Sequence, residues 1–334
     1  MHATRWSAAG LILAVATILQ AAHAAECPPL TLLTSIDMER SQANDLEYVP
    51  VTVADKAKMM ILDTGGVASM ITPRTADELN LSRHRGGLRL YSVSNEYSSD
   101  YVKASLTLGR LSAPHIDLVV LPTGTLQGID PRVGGILAPD ILLNYDVDID
   151  FGADKLNLIS PKHCAGKVIY WPAITIAVVP MNVVESGHII VPVKLDGHAT
   201  FALLDTGSTN TILDQPAAEG EFGLQLGSAD TPASGLLQNH PGATTYRHTF
   251  KLLELEGITV SNPEVEIIPD ATRWLTADTA TPEIGTRIPN RKRNESLVNM
   301  ILGMNVLHNF HLYIAYKEQK LYVTYAVPRT AAVH

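Results

Sequence analysis

Two aspartates, Asp63 and Asp205, each open an Asp-Thr-Gly tripeptide at the end of an apolar run, MMILDTGGVASMIT and FALLDTGSTNTILD, 142 positions apart. The chemistry on offer is that of paired carboxyls. Two carboxyls a few ångströms apart cannot both ionise, so one keeps a proton while its partner stays charged, and an acid and a base can then share one water. Gly65 and Gly207 permit the sharp turn that leaves each carboxylate exposed. By average residue usage one Asp-Thr-Gly arises by chance in roughly one chain in fifteen of this length. The argument therefore rests on the second copy and its matched context. Taken singly, each tripeptide would read as an ordinary strand-end turn.

The elements that must position these residues are duplicated as well. YVPVTVADKAKMMILDTG, from Tyr48, reads against IIVPVKLDGHATFALLDTG, from Ile189, as strand, polar turn, strand, Asp. GGILAPDILLNYDVDIDFGADKLNLI parallels NMILGMNVLHNFHLYIAYKEQKLYV, pairing Ile136-Leu137-Ala138 with Ile301-Leu302-Gly303. These residues resemble the pepsin-retropepsin superfamily of aspartic proteases, in which an apolar-apolar-Asp-Thr-Gly loop and a later Ile-Leu-Gly segment mark each lobe. The resemblance implies an all-β, two-lobed acid-protease fold with a pseudo-twofold and a cleft between the lobes.

It also implies an aspartic endopeptidase in which Asp63 and Asp205 hold the attacking water. Thr64 and Thr206 would bond across the pseudo-twofold to the opposite loop's backbone, and amides around Gly65 and Gly207 would donate to the carboxylates. No metal or organic cofactor is implied. The partner is an extended peptide or protein substrate bound by a single chain, a monomer. A hairpin in the first lobe, LRLYSVSNEYSSDYVKASLTLG, is expected as a flap that covers the substrate, with Tyr91, Tyr97 or Tyr101 beneath it. GLLQNHPGATTYRHTFKLLELEG is its counterpart in the second lobe.

Two departures fall in the first lobe: Gly66 stands where Ser208 stands in the second, and Ala138 where Gly303 stands. A Ser208 hydroxyl bonded to Asp205 would favour its charged form, leaving Asp63 to hold the shared proton. Ala138 adds a methyl where the backbone packs closely on the Asp loop. An alternative is a catalytically weak or inactive peptide-binding protein of the cell envelope, which would capture a peptide as an added strand. A third reading directs the hydrolysis at the protein's own precursor or one dedicated envelope partner.

Composition fits a globular chain. Of 334 residues, 46% are hydrophobic and 18% charged, and the net charge of -9 argues against nucleic acid as the main partner. The basic run Arg287, Arg291, Lys292 and Arg293 reads as a solvated loop. Residues 1–24 read as a signal peptide, with Arg5 before the apolar stretch Ala8 to Leu19 and small Ala22 and Ala24 at the cleavage site. The stretch is short for a membrane span, so no stable anchor is expected and the protein reads as exported, periplasmic or secreted. In that compartment Cys27 and Cys164 should form a disulfide. His308 and His311, three apart in an expected strand, would face opposite sides and make a poor metal pair.

The organisation expected is a first lobe at 25–161, a connector at 162–173 and a second lobe at 174–328. Short helices should follow Ala138 and Gly303. Those two residues are 165 apart against 142 for the aspartates, so the second lobe holds 23 additional positions. Most belong to an exposed loop at 270–297, with Trp274 as its anchor.

Overall fold

The computed structural model describes residues 27–91, 96–123, 126, 128–237, 242–269, 271–272 and 298–327. The expected signal peptide, the basic run and Trp274 lie outside the described residues, as does nearly all of the 270–297 insertion. Strands dominate, as the short apolar runs between turns require, and they form three sheets.

The sheet that joins the lobes has six strands, in the order Leu32–Asp37, Lys155–Ile159, Asp146–Asp150, Phe310–Ala315, Lys320–Tyr325 and Ala177–Pro180. Three come from each half of the sequence. They meet where Asp146–Asp150 runs antiparallel to Phe310–Ala315, with Val147 opposite Ile314 and Asp150 opposite His311. Every residue of Phe310–Ala315 is buried, which is why that stretch is almost continuously apolar.

Each lobe adds a sheet of its own, of eight strands in the first and ten in the second. In the first, Lys56–Leu62 runs parallel to Val133–Leu137, bringing Leu62 beside Leu137, and Met70–Ile71 pairs antiparallel on the far side. In the second, His198–Leu204 runs parallel to Val298–Leu302, with Leu204 beside Leu302, and Thr211–Asp214 takes the far side. Even the irregularities repeat: the register slips between Met59 and Met60 and, 142 positions on, between Phe201 and Ala202. On its other edge Lys56–Leu62 pairs with Glu47–Val53 and His198–Leu204 with Ile189–Leu195, so each of these strands is flanked on both sides and holds rigidly the following loop, which begins with the Asp.

The expected helices are present at Pro139–Leu142 and Met304–Leu307, each starting after the residue that closes the second signature. Both hairpins are present too, Arg83–Tyr91 with Glu96–Leu108 and Ala233–Leu236 with Thr244–Thr249. The side chains of Tyr91 and Tyr97 lie outside the described part. Tyr101 stacks on His84 with ring centroids 5.2 Å apart, and the Lys103 ammonium lies over the Tyr101 ring, 5.5 Å from its centroid.

The disulfide between Cys27 and Cys164 is formed, tying the start of the first lobe to the segment that leaves it. That segment lies over the joining sheet, where it seals a set of buried ionisable groups. His163 meets Asp146 at 2.5 Å, and Trp171 stacks on His311 with centroids 3.9 Å apart. The histidine expectation needs one correction. His308 caps the helix Met304–Leu307 and is not part of a strand, because the chain turns at Asn309 before Phe310 begins. Both histidines pair with carboxylates of the first lobe: His308 Nε2 with Glu47 at 3.0 Å, His311 Nε2 with Asp148 at 2.5 Å. No helix among the described residues is long and apolar enough to cross a membrane.

Candidate active site

Asp63 and Asp205 emerge from equivalent strand ends. The Asp63 N–H donates to the Leu137 carbonyl and the Asp205 N–H to the Leu302 carbonyl, each at 3.0 Å, so both backbones are pinned one residue past the sheet. The carboxyls then meet across the pseudo-twofold and share a hydrogen bond.

The loops that follow interlock. The Thr64 hydroxyl donates to the Leu204 carbonyl at 2.7 Å and the Thr206 hydroxyl to the Leu62 carbonyl at 2.8 Å. Each hydroxyl also accepts the other threonine's N–H, at 3.0 and 3.1 Å. Both side chains are fully buried, so all four bonds are shielded from water and leave neither loop free to rotate. The Gly65 N–H donates to Asp63 at 3.0 Å and the Gly207 N–H to Asp205 at 2.8 Å. Each glycine also lies under the opposite carboxyl. A Cβ at Gly65 would fall inside the Asp205 carboxyl and one at Gly207 inside that of Asp63, so only glycine admits the pair.

A supporting layer not anticipated from the sequence lies behind each loop. Ser69 and Thr211, each six residues after its Asp, accept the N–H of Ala138 at 3.0 Å and of Gly303 at 3.1 Å. Asp140 and Asn305, each two residues beyond those amides, complete the contact, Asp140 accepting the Ser69 hydroxyl at 2.6 Å and Asn305 the Thr211 N–H at 2.7 Å. Equal spacing in the two halves was the available signal.

The two departures from symmetry are linked in space. A Cβ at Gly66 would stand 2.9 Å from an Asp63 oxygen and 3.3 Å from the Ala138 methyl. The side chain missing at 66 therefore leaves room for the one gained at 138. In the second lobe the backbone closes up instead, and the Met304 N–H donates to the Ser208 carbonyl at 2.8 Å. A Cβ at Gly303 would run into the Asn210 carbonyl.

Burial raises the proton affinity of both carboxyls, and Asp205 rises further because it also faces the charge of Asp63. The expectation that Asp63 holds the shared proton relied on a Ser208 bond to Asp205, and that bond is not made. The Ser208 hydroxyl donates instead to the Asn210 carbonyl at 2.8 Å, away from Asp205, and so gives Asp205 no added support for a negative charge.

A residue that the sequence reading passed over completes the site. His188, just before the strand Ile189–Leu195, is buried and places Nε2 2.8 Å from the Gly65 carbonyl. In the register that aligns the two aspartates its counterpart is Leu46.

A family model described as "Aspartyl protease" matches residues 49–141 and 191–306, taking in both Asp-Thr-Gly loops and both later segments. The chain belongs to the aspartyl protease family. Among solved structures, that titled "edgp" aligns with a TM-score of 0.51 at 8% identity over 90% of this chain and 96% of its own. An aspartic proteinase from Irpex lacteus aligns at 0.48 and 14% identity, covering 90% and 99% of the two chains. Basic 7S globulin from soybean aligns at 0.49 and 11%, covering 90% and 96%. At 8% identity the first of these speaks for the fold alone. No curated protein matches by sequence. Aspartyl protease membership accounts for the doubled motif, the two-lobed architecture and the carboxyl pair at its centre.

Proposed function

We propose that this aspartyl protease family member is an exported endopeptidase that hydrolyses peptide bonds with a water held between Asp63 and Asp205. The observation that carries the reading is the shared hydrogen bond between two half-buried carboxyls, each seated over the other loop's glycine. Such a pair holds one proton between them, which supplies a base and an acid at one point.

Asp63, charged, takes a proton from the water as its oxygen attacks the scissile carbonyl carbon. The protonated Asp205 hydrogen-bonds the carbonyl oxygen as it gains charge and transfers its proton there, giving a tetrahedral diol. When the C–N bond breaks, the proton on Asp63 passes to the leaving nitrogen, the diol returns its proton to Asp205, and the starting state is restored. The interlocked Thr64 and Thr206 hold the two carboxyls in place throughout, so little reorganisation is needed at the moment of reaction. The substrate is an extended peptide lying between the lobes of a monomer, with the hairpin Arg83–Tyr91 and Glu96–Leu108 over it. Export, to a periplasm or outside the cell, is supported by the disulfide and the leader-like residues 1–24.

The test is incubation of the purified protein with a diverse peptide library from acidic to neutral pH, with products read by mass spectrometry. Internal cleavage is expected, strongest on the acid side. Peptide capture without cleavage at any pH would replace the enzyme by a binding protein.

A further inference from the structure

The immediate surroundings of the carboxyl pair repeat almost atom for atom: two threonines, two glycine amides, two following amides. The direct bonds do not distinguish the carboxyls in favour of Asp63, since the shorter of the two glycine contacts, 2.8 against 3.0 Å, falls on Asp205. The hydroxyls peculiar to the second loop are turned away, that of Ser208 onto the Asn210 carbonyl and that of Thr209 onto the Asn44 carbonyl at 2.9 Å. His188 is different. It belongs to the second lobe yet reaches the first lobe's loop, and Leu46, at the equivalent place, has no polar group to offer the Gly207 carbonyl.

A carbonyl can only accept, so the proton of His188 is on Nε2, and Nδ1 accepts the Ser186 hydroxyl at 2.7 Å. The tautomer is thereby set. The bonded carbonyl belongs to the peptide between Gly65 and Gly66, and the N–H of that same peptide donates to Asp63. A donor on the oxygen of an amide polarises it and strengthens its N–H as a donor.

We propose that His188 is a positioning residue that acts through the Gly65–Gly66 peptide to keep Asp63 the charged member of the pair, so that the shared proton resides on Asp205. This rests on the carboxyl-pair reading of the site and adds to it which carboxyl is the base and what makes it so. Burial, opposed only in part by the bond to Gly65, lowers the imidazole's proton affinity to a pKa of about 4, so it polarises the peptide as a neutral donor over most of the acid range. Titratable groups near it include Asp63 on the loop it bonds, and Asp140 on the helix Pro139–Leu142, against which Gly187 packs. Glu185 lies on its own turn.

The test is site-resolved carboxyl-carbon NMR of the aspartates in the purified protein across pH, which needs no turnover. In the unmodified chain Asp63 should titrate at the lower midpoint and Asp205 at the higher. His188→Leu, which restores the symmetry of Leu46, should raise the Asp63 midpoint and shift proton occupancy from Asp205 toward Asp63 by roughly three- to ten-fold. His188→Gln, whose amide can still donate to the Gly65 carbonyl, should return most of the difference, and Ser186→Ala should give an intermediate shift while leaving the imidazole in place. A coupled pair whose occupancies do not move in a folded His188→Leu protein, or in Ser186→Ala and His188→Gln should the leucine variant not fold, overturns the role of His188. Two aspartates that titrate independently overturn the pair itself.

Discussion

Thr64 and Thr206 each hold the other's loop, hydroxyl to carbonyl at 2.7 and 2.8 Å and amide to hydroxyl at 3.0 and 3.1 Å, although they stand 142 positions apart. Either threonine therefore serves both lobes. Thr206→Val keeps the shape but removes one hydroxyl, leaving the buried Leu62 carbonyl without its donor and the Thr64 N–H without its acceptor. At about 1–3 kcal/mol for each group left unsatisfied, the loss should be about 2–6 kcal/mol in urea unfolding. The double variant with Thr64→Val should cost less than the two single losses added together, because each single change already disturbs the shared network. Simple additivity would show the two loops to be independent.

The paired departures at 66 and 138 should behave as one. Gly66→Ser alone brings a Cβ to 3.3 Å from the Ala138 methyl and 2.9 Å from Asp63, so it should destabilise by about 1–3 kcal/mol through overpacking. Adding Ala138→Gly should recover at least half of that loss. Thermal unfolding of the single and double variants measures the coupling, and a double variant no better than Gly66→Ser would separate the two positions.

Stability should be greater in mild acid than above neutrality. Burial raises Asp63, Asp205, Asp140 and Asp146 above the ordinary value of 3.8. A carboxyl so raised keeps its proton in the folded state after the unfolded chain has lost it. Its stabilising effect is complete below 3.8 and is lost as pH climbs through the folded value. His163 adds to this. Burial alone would lower it, but the Asp146 carboxylate and the Cys164 carbonyl more than offset burial and raise it above 6.5, so its contribution is full below 6.5 and is lost as pH rises through that raised value. His188 works the other way, its stabilising effect being lost as pH falls from 6.5 to about 4. The melting temperature should thus decline from mildly acidic to mildly alkaline buffer, and His163→Gln should flatten the upper part of that decline. A melting temperature rising through neutrality would contradict the assignment.

Much of this was legible in the sequence because a duplicated chain checks itself. The Asp-Thr-Gly copies, the Ile-Leu-x segments and the short helices after Ala138 and Gly303 all appear twice in the same order, and backbone geometry follows from such local patterns. What was not legible were side-chain directions. Ser208 looked like a donor to Asp205, yet its nearest carbonyl acceptor is two residues on in its own turn, a local competition common to serine. His308 looked like a strand residue because the run FHLYIA begins so soon after it. His188 carried only the faint signal of a polar residue opposite Leu46. Its partner is the Gly65 carbonyl of the other lobe, 123 positions away, which no local pattern reveals.

The most direct measurement of the central claim is hydrolysis of one cleavable peptide by the unmodified protein and by Asp63→Asn and Asp205→Asn, with binding of the same peptide measured alongside. Each substitution keeps the shape of a carboxyl but removes the group that takes or holds the proton. The account predicts that both variants lose hydrolysis by at least roughly a thousand-fold, a loss set by the chemical step, while peptide affinity stays broadly unchanged. Hydrolysis that survives in Asp205→Asn at the unmodified rate would contradict it.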